Sequence, residues 1–446
     1  MQPNRASEPP SDRPSSEQRL SQPPRPGDGA PGTLVFVVTE DWYFWSHRLP
    51  SARAAQDLGY DVVVVAHSGS FVERIRAVGI RVIDWPVKRG SVNFVSELKS
   101  LLSLSAILRA VRPTVVHNIA LKPVMYGTVA AKLAGVPAVI NSVTGFGFLF
   151  ASSRIASSLT GHAMLFVMRR LVRLARVLTI CQNRDDADLI FPGGQRRDKL
   201  RIIKGSGVDI EHFKPSPEPE GAVVAAFVGR MLWEKGVGDL AEAASILKRR
   251  GADLRLVLVG PVDDQNPGAI GEGVLRSWQR DGLIEWIGSS DDIAEVWRRS
   301  HIAVLPSYRE GLPKAVLEAA ACGRAVITTD VPGCRDIVQD GITGLLVPPR
   351  DPVALADALQ RLAASGDLRK RMGAAGRAKV AADFADPVVI EQMSKVYRDV
   401  HSWRGKGAPP KPSKLRQLGA LHYMMMLGVA AVVVWAMVSV YLLLTV

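Results

Sequence analysis

The sequence predicts an α/β chain of two facing, doubly wound parallel sheets, completed by a transmembrane helix at the C-terminal end. Three observations lead there. Short apolar runs alternate with helix-length stretches, a Pro-rich segment splits that alternation into two series, and the last 23 residues carry no charged side chain. Strands alternating with helices build parallel sheets covered on both faces. At 446 residues the chain also exceeds the roughly 250–300 residues at which a single core stops growing.

The first series comprises "TLVFVV" (33–38), "DVVVVA" (61–66), "IRVIDW" (80–85), "TVVHN" (114–118) and "AVINS" (138–142), each followed by a stretch long enough for a crossover helix. The second begins after "KPSPEPE" (214–220), with "VVAAFVG" (223–229), "LRLVLVG" (254–260), "IEWIG" (284–288), "IAVLPS" (302–307) and "AVITT" (325–329). The expected organisation is a first Rossmann-like domain over 33–208, a linker over 209–220 and a second Rossmann-like domain over 221–403.

The two ends differ in kind. Residues 1–32 are crowded with Pro, Ser, Arg and Asp and lack an apolar run, so they read as a disordered tail and not as a secretory signal. Residues 418–446 form the expected membrane helix. Its apolar part, "MMMLGVAAVVVWAMVSVYLLLTV" (424–446), spans about 35 Å as a helix against roughly 30 Å of hydrocarbon. The segment 404–417 before it carries Arg404, Lys406, Lys411, Lys414 and Arg416 without one acid. Positive residues beside a span are retained on the cytoplasmic side, which places the body in the cytoplasm of an inner-membrane protein.

Charge narrows the partners. A net charge of +13 suits nucleic acid, an anionic membrane or a phosphorylated substrate, but no basic and aromatic stripe of a nucleic-acid module is present. Phosphate and lipid remain. Cys181, Cys322 and Cys334 make neither a CxxC pair nor an even disulfide framework, so they are expected to be reduced, buried thiols. The stretch "HAMLFVMRRLVRLARVLTI" (162–180) interleaves Arg169, Arg170, Arg173 and Arg176 with apolar residues. It reads equally as a helix resting on anionic lipid or as a core helix with a wet basic face.

In open α/β sheets ligands bind beyond the carboxyl ends of the strands. There the second series offers "VGRMLWEKG" (228–236), in which Arg230 and Lys235 follow a strand and can grip a diphosphate. A surface Arg and Lys beside a turn are also commonplace. "SYREGLPKAVLEAAACG" (307–323) adds a strand exit, Gly311 for close backbone approach, and a helix starting near Pro313 whose free N–H groups suit an anion. Glu310, before that helix, can accept hydrogen bonds from sugar hydroxyls. Glu318, more than a turn into it, can reach a ribose diol.

Together, "GRMLWEKG", "LPSYREGLPKAVLEAAACG" and "GITGLLVPPRD" resemble family 4 of the retaining glycosyltransferases, which have the GT-B fold, over roughly residues 33–403. The resemblance implies a metal-independent hexosyl- or N-acetylhexosaminyl-transferase. Its second domain would hold a nucleotide-sugar donor, expected to be a UDP-sugar, and its first domain would receive the acceptor. The implied donor set is Arg230, Lys235, Gly311, Leu312, Lys314 and Glu318, with Glu310, His117, Arg230 and Lys235 as the catalytic set. The chain shows no convincing Asp-x-Asp after a strand and no His and Cys ligand cluster, so a metal need not be invoked.

In the first series, "VTEDWYFWSHRLP" (38–50), "VVHNIALKPVMYG" (115–127) and "NSVTGFGFLF" (141–150) resemble bacterial members that extend lipid-linked or capsular glycans. His117 matches the family position that contacts the donor sugar, with Lys122 a few residues on, although a strand-end His is often structural. Gly145 and Gly147 fit a substrate loop or a simple turn. Many members carry a Gly pair in the first loop, where this chain has Glu40, Asp41 and Trp42. The family's usual front-face route lets the leaving phosphate oxygen take the acceptor's proton, and a double displacement also retains configuration. The membrane helix favours a lipid-linked glycan acceptor. The alternative is a GT-B nucleotide-sugar epimerase or a binding subunit, which would have less use for an anchor and an intact donor set.

Overall fold

The computed structural model describes residues 31–88, 93–144, 159–194, 196–264, 266, 268–404 and 435. Residues 1–30 of the expected tail (1–32), the Gly145 and Gly147 loop, residues 405–417 of the basic linker (404–417), and the membrane segment apart from Trp435 lie outside the described residues. Among the described residues no helix is long and apolar enough to cross a membrane.

The first sheet contains β1 (Thr33–Glu40), β2 (Asp61–His67), β3 (Arg81–Asp84), β4 (Val115–Ile119), β5 (Ala138–Val143), β6 (Val177–Cys181) and β7 (Leu200–Ile202). All are parallel, in the order β3-β2-β1-β4-β5-β6-β7. The second contains β8 (Val223–Val228), β9 (Leu254–Val259), β10 (Glu285–Trp286), β11 (Ile302–Leu305), β12 (Ala325–Thr329) and β13 (Gly344–Val347), also parallel, in the order β10-β9-β8-β11-β12-β13. Central strands such as Val62–Ala66 and Ala325–Thr329 are buried along their whole length, which explains why they read as continuous apolar runs and do not alternate. The strand order reverses direction between β1 and β4 in one sheet and between β8 and β11 in the other. These two switch points open the crevices where such sheets take ligands.

Helices α1 (Asp41–Asp57), α2 (Val72–Ala77), α3 (Phe94–Val111), α4 (Leu121–Leu133), α5 (Leu159–Val172) and α6 (Arg184–Ile190) connect the first sheet. Helices α7 (Val237–Arg249), α8 (Glu272–Arg280), α9 (Ile293–Arg298), α10 (Lys314–Ala321), α11 (Cys334–Ile337), α12 (Pro352–Ala363) and α13 (Gly366–Asp383) belong to the second, and α14 (Asp386–His401) follows. Several begin on a side-chain cap that satisfies an otherwise unpaired amide. Asn93, Asn183, Asp351 and Ser365 accept from the backbone N–H groups of Ser96, Asp186, Ala354 and Leu368. Cys181, Cys322 and Cys334 are free and buried.

The structure departs from the sequence reading in four places. The basic stretch 162–180 is not one helix: α5 stops at Val172, Arg176 takes a left-handed φ of 57°, and Val177–Cys181 enters the sheet as β6. The β-branched residues of "VLTIC" are buried between β5 and β7, so sheet pairing overrides the helical composition. The edge strands β7 and β13 are additional. The Pro-rich linker is fixed to the second domain: Glu218 pairs with Arg369 at 2.7 Å, and Arg377 donates to the carbonyls of Phe213 and Ile210. Finally, α14 does not belong to the second domain. Its Val389, Met393, Val396, Tyr397 and Val400 are buried in the core of the first, beside Phe36, Phe44 and Tyr60. The chain crosses between the domains twice, and the crossings pair: Val208 N–H donates to Phe384 O at 3.0 Å and Asp386 N–H to Val208 O at 3.0 Å.

Five buried side chains at about 1.5–3 kcal/mol each are comparable to the whole stability of a domain. A chain ending at Ala385 is therefore expected to lose the first domain's cooperative unfolding transition, whereas a chain ending at Trp403 melts like the full-length protein. Circular dichroism during heating, on both truncations, checks this.

Candidate functional site

The crevice of the second sheet is assembled from the loops at the ends of β8 and β11, the two strands flanking its switch point. After β8, Gly229 leads to Arg230, and a single 3-10 turn over Trp233–Lys235 delivers Lys235. Gly236 ends that turn at φ 71°, and a Cβ there would lie 2.0 Å from the Pro306 carbonyl oxygen, so only glycine lets this loop pack against the exit of β11. After β11, residues Ser307–Pro313 run into α10. Gly333 touches them from the far side: at φ 77° its Cβ would stand 2.3 Å from the Gly311 carbonyl oxygen.

The carboxylate and both cations are held in place by partners. Glu310 Oε1 accepts from Lys235 Nζ at 2.5 Å and from the Ser307 hydroxyl at 2.7 Å. Ser307 is itself fixed, because Thr329 donates its hydroxyl to the Ser307 carbonyl. The Arg230 guanidinium pairs with Asp263, in the loop after β9. Each cation therefore has a fixed direction, and each pair is neutral overall, which reduces the cost of keeping charges half out of water. The α10 N-cap, Pro313, provides no side-chain cap, so among the described residues no side chain caps the first amides at the crevice end of the helix.

Lys314 and Glu318 stand one turn apart on α10, with Nζ and Oε1 separated by 3.7 Å. Glu318 is buried, and burial pushes its carboxyl up to about 7, with Lys314 pulling the other way. Leu312 packs into the first domain's loop: a Cβ on Gly205, at φ 73°, would come within 2.2 Å of its methyl. Two further contacts tie this stretch to the first domain. Lys314 Nζ donates to the Ser46 carbonyl of α1 at 2.5 Å, and Asn183 Nδ2 approaches the Gly311 carbonyl at 3.4 Å.

Arg230, Lys235, Glu310, Gly311, Leu312, Lys314 and Glu318 thus lie along one crevice. His117 does not join them. It sits mid-strand in β4, fully buried, with Nδ1 3.1 Å from the Tyr397 hydroxyl and Nε2 2.7 Å from the Ser142 hydroxyl. Desolvation and the nearby Arg48 hold its ring neutral. Both nitrogens are spent on tying β4 to β5 and α14, so the expected contact between His117 and the donor sugar is corrected to a structural role. Lys122 is likewise internal: it pairs with buried Glu97 at 3.0 Å and donates to the Lys88 carbonyl at 2.7 Å. Asp41, at the place where many members of the family carry a Gly pair, is buried and accepts from Gly69 and Phe71 N–H at 2.8 and 2.9 Å, organising the loop after β2.

Asp263, Ser307 and His47 escaped the sequence reading. Asp263 stands at a strand exit in "GPVDDQNPG" (260–268), the position that marks ligand-facing residues in these sheets. His47 lies inside the stretch "VTEDWYFWSHRLP" already noted, without a spacing that distinguishes it. Among the described residues no cluster of three His, Cys, Asp or Glu gathers as a metal site would require.

Two Rossmann-like sheets whose switch-point crevices face one another define a GT-B-type α/β protein. The solved structure of HepE from Anabaena, in complex with UDP and glucose, superposes with a TM-score of 0.67 at 16% identity, covering 82% of this chain and 99% of that one. Residues 33–183 match the family model "Glycosyl transferase 4-like", and residues 222–365 match "Glycosyl transferases group 1". The N,N'-diacetylbacillosaminyl-diphospho-undecaprenol alpha-1,3-N-acetylgalactosaminyltransferase of Campylobacter jejuni is 27% identical, over 78% of this chain and 94% of its own length. The alpha-maltose-1-phosphate synthase of Mycolicibacterium smegmatis is 30% identical, over 71% and 86%. The chain belongs to the family 4 type of glycosyltransferases.

Burial of Glu318 has a measurable sign. The folded chain retains a proton up to about pH 7 that an unfolded Glu, with its ordinary value of 4.5, releases, so stability falls as pH rises from 4.5 through 7. Glu318→Gln is expected to abolish that fall. Without added nucleotide, the variant should match the parent near pH 4.5 and exceed it at pH 8 by on the order of 3 kcal/mol. Urea unfolding across pH checks it.

Proposed function

We propose that this glycosyltransferase moves one sugar, with retention of configuration, from a UDP-sugar onto a polyprenyl-diphosphate-linked glycan at the inner membrane, during assembly of a surface polysaccharide or glycan. The observation that carries the reading is the oriented pair of cations at the β8/β11 switch point, beside the uncapped start of α10. A diphosphate seated there meets Arg230, Lys235 and the α10 amides, which stabilise the charge that develops as the glycosidic bond to phosphate breaks. Because these charges are preorganised, no metal is assigned to the step.

Glu310 orients the transferred sugar in this scheme. Its Oε1 is occupied by Lys235 and Ser307, and Oε2 is left to accept from a sugar hydroxyl. Glu318, one helical turn inward, accepts from the ribose. Supporting the acceptor class, the Campylobacter relative is named for an undecaprenyl-diphosphate-linked sugar, and the uncharged run 424–446 gives a cytoplasmic body a means of staying at the bilayer that holds such an acceptor. Supporting the donor class, the Anabaena neighbour was solved with UDP and glucose.

Replacing Arg230 or Lys235 by Ala is expected to remove about 2–4 kcal/mol of transition-state stabilisation, on the order of 30- to 1000-fold in kcat/KM. Steady-state transfer assays check this, and wild-type turnover in both variants would refute the assignment. Chelation with EDTA is expected to leave turnover unchanged. Glu318→Gln should weaken UDP binding in calorimetric titration. A chain ending at Trp403 should move from the membrane pellet to the supernatant while its donor hydrolysis persists, with transfer into liposome-held acceptor falling as effective concentration at the bilayer is lost.

A further inference from the structure

The second turn of α1 carries a half-buried histidine close to the crevice cations. His47 belongs to the first domain, yet the helix bearing it is bonded to the donor-side helix through Lys314 Nζ and the Ser46 carbonyl. Lys314 and Lys235, both from the second domain, act on its ring charge, as does Arg48 beside it. His117, by contrast, lies in the core.

Its orientation and tautomer are set by neighbours. The ring stacks on Tyr43 with centroids 4.5 Å apart and planes 14° from parallel, and Trp42 meets it edge-on at 6.5 Å. The Ser46 hydroxyl donates to the Trp42 carbonyl at 2.8 Å, which uses its single hydrogen. Ser46 Oγ is 2.6 Å from His47 Nδ1, and the Tyr43 backbone also hydrogen-bonds the ring, contacts that an Nδ1–H satisfies. That leaves the lone pair on Nε2. Burial, then Lys314 and Arg48, push the ring down to about 3, so the imidazole stays neutral at physiological pH. A neutral ring stacked in place, with its lone pair on Nε2 and set among cations, accepts a hydrogen bond well and takes a proton poorly.

Resting on the transfer reading above, we infer that His47 Nε2 accepts a hydrogen bond from a non-reacting hydroxyl of the acceptor's terminal sugar, so that α1 selects the acceptor and holds it against the donor. The attacking hydroxyl is a different one. Its oxygen bonds to the anomeric carbon as the carbon–oxygen bond to the diphosphate breaks, the bonding pair leaves on the phosphate oxygen, and that oxygen receives the proton. His47 is unchanged across the step. Trp42, 38% exposed at the start of the same helix, offers an aromatic face beside the sugar.

The test is a set of short-chain polyprenyl-diphosphate sugars, each lacking one hydroxyl, assayed with the full-length enzyme, His47→Ala and His47→Gln. The parent should disfavour one deoxy acceptor by about tenfold in kcat/KM, the worth of one neutral hydrogen bond. His47→Ala should raise the KM for the complete acceptor by a similar factor and lose the discrimination, and His47→Gln, whose amide oxygen can replace Nε2, should recover part of both. The parent's discrimination should be flat from pH 5.5 to 8.5. Three results overturn the inference: undiminished discrimination in His47→Ala, a rise in the KM for donor alone, or a fall in kcat without a change in acceptor selectivity. A parent enzyme that hydrolyses UDP-sugar yet transfers to none of these acceptors refutes the acceptor class itself, and the role of His47 with it.

Discussion

The paired crossing at Val208 and Ala385 is the contact on which the geometry of the site depends. A two-domain chain with one linker leaves the angle between its sheets to surface contacts. Here the chain leaves the first domain at Val208 and re-enters at Ala385, and two backbone hydrogen bonds of 3.0 Å join the crossings. The returning helix α14 then buries Tyr397 against His117 and Tyr60. The junction is therefore part of a core. Only with that constraint do α1 and α10, far apart in sequence, meet through Lys314 and Ser46.

At the crevice, the recurring device is a charge kept in place by a partner of opposite sign. Lys235 and Glu310 hold each other, Arg230 holds Asp263, and Lys314 stands over Glu318. Half-buried cations without partners would be costly and mobile, whereas paired ones are stiff and cost less. A diphosphate entering such a site meets charges already aimed, so little reorganisation is left for the moment of bond breaking. The buried Glu318 shows the opposite side of this arrangement. Its raised affinity for a proton means the fold tolerates a carboxyl where packing alone would favour an apolar residue, as functional sites commonly do.

The first domain uses polar groups differently. His117, which read as ligand-facing in the sequence, is spent on architecture, as are Lys122 and Asp41: His117 on Ser142 and Tyr397, Lys122 on Glu97, Asp41 on Gly69 and Phe71. Buried polar atoms must be hydrogen-bonded, and a long-range partner satisfies them as well as a ligand does. His47 differs in that the partners of its ring, Ser46 and Tyr43, lie on its own helix.

The sequence by itself determined the parallel two-sheet architecture, because strands buried on both faces must be continuously apolar and their crossovers must be helix-length. It also determined the second domain's candidate site: Arg230, Lys235, Glu310, Gly311, Lys314 and Glu318 lie in two short segments whose place at strand exits follows from local pattern alone. Tertiary structure decided the rest. Whether "VLTIC" completes a helix or a strand depends on an open edge beside β5. Whether α14 serves the second domain or the first depends on which core has a vacant face. And whether His117 faces the crevice or the core depends on Tyr397, 280 residues from it in the chain. Local periodicity carries information over one or two turns, whereas burial and partner choice are properties of contacts between distant segments, and these formed only when the chain crossed back.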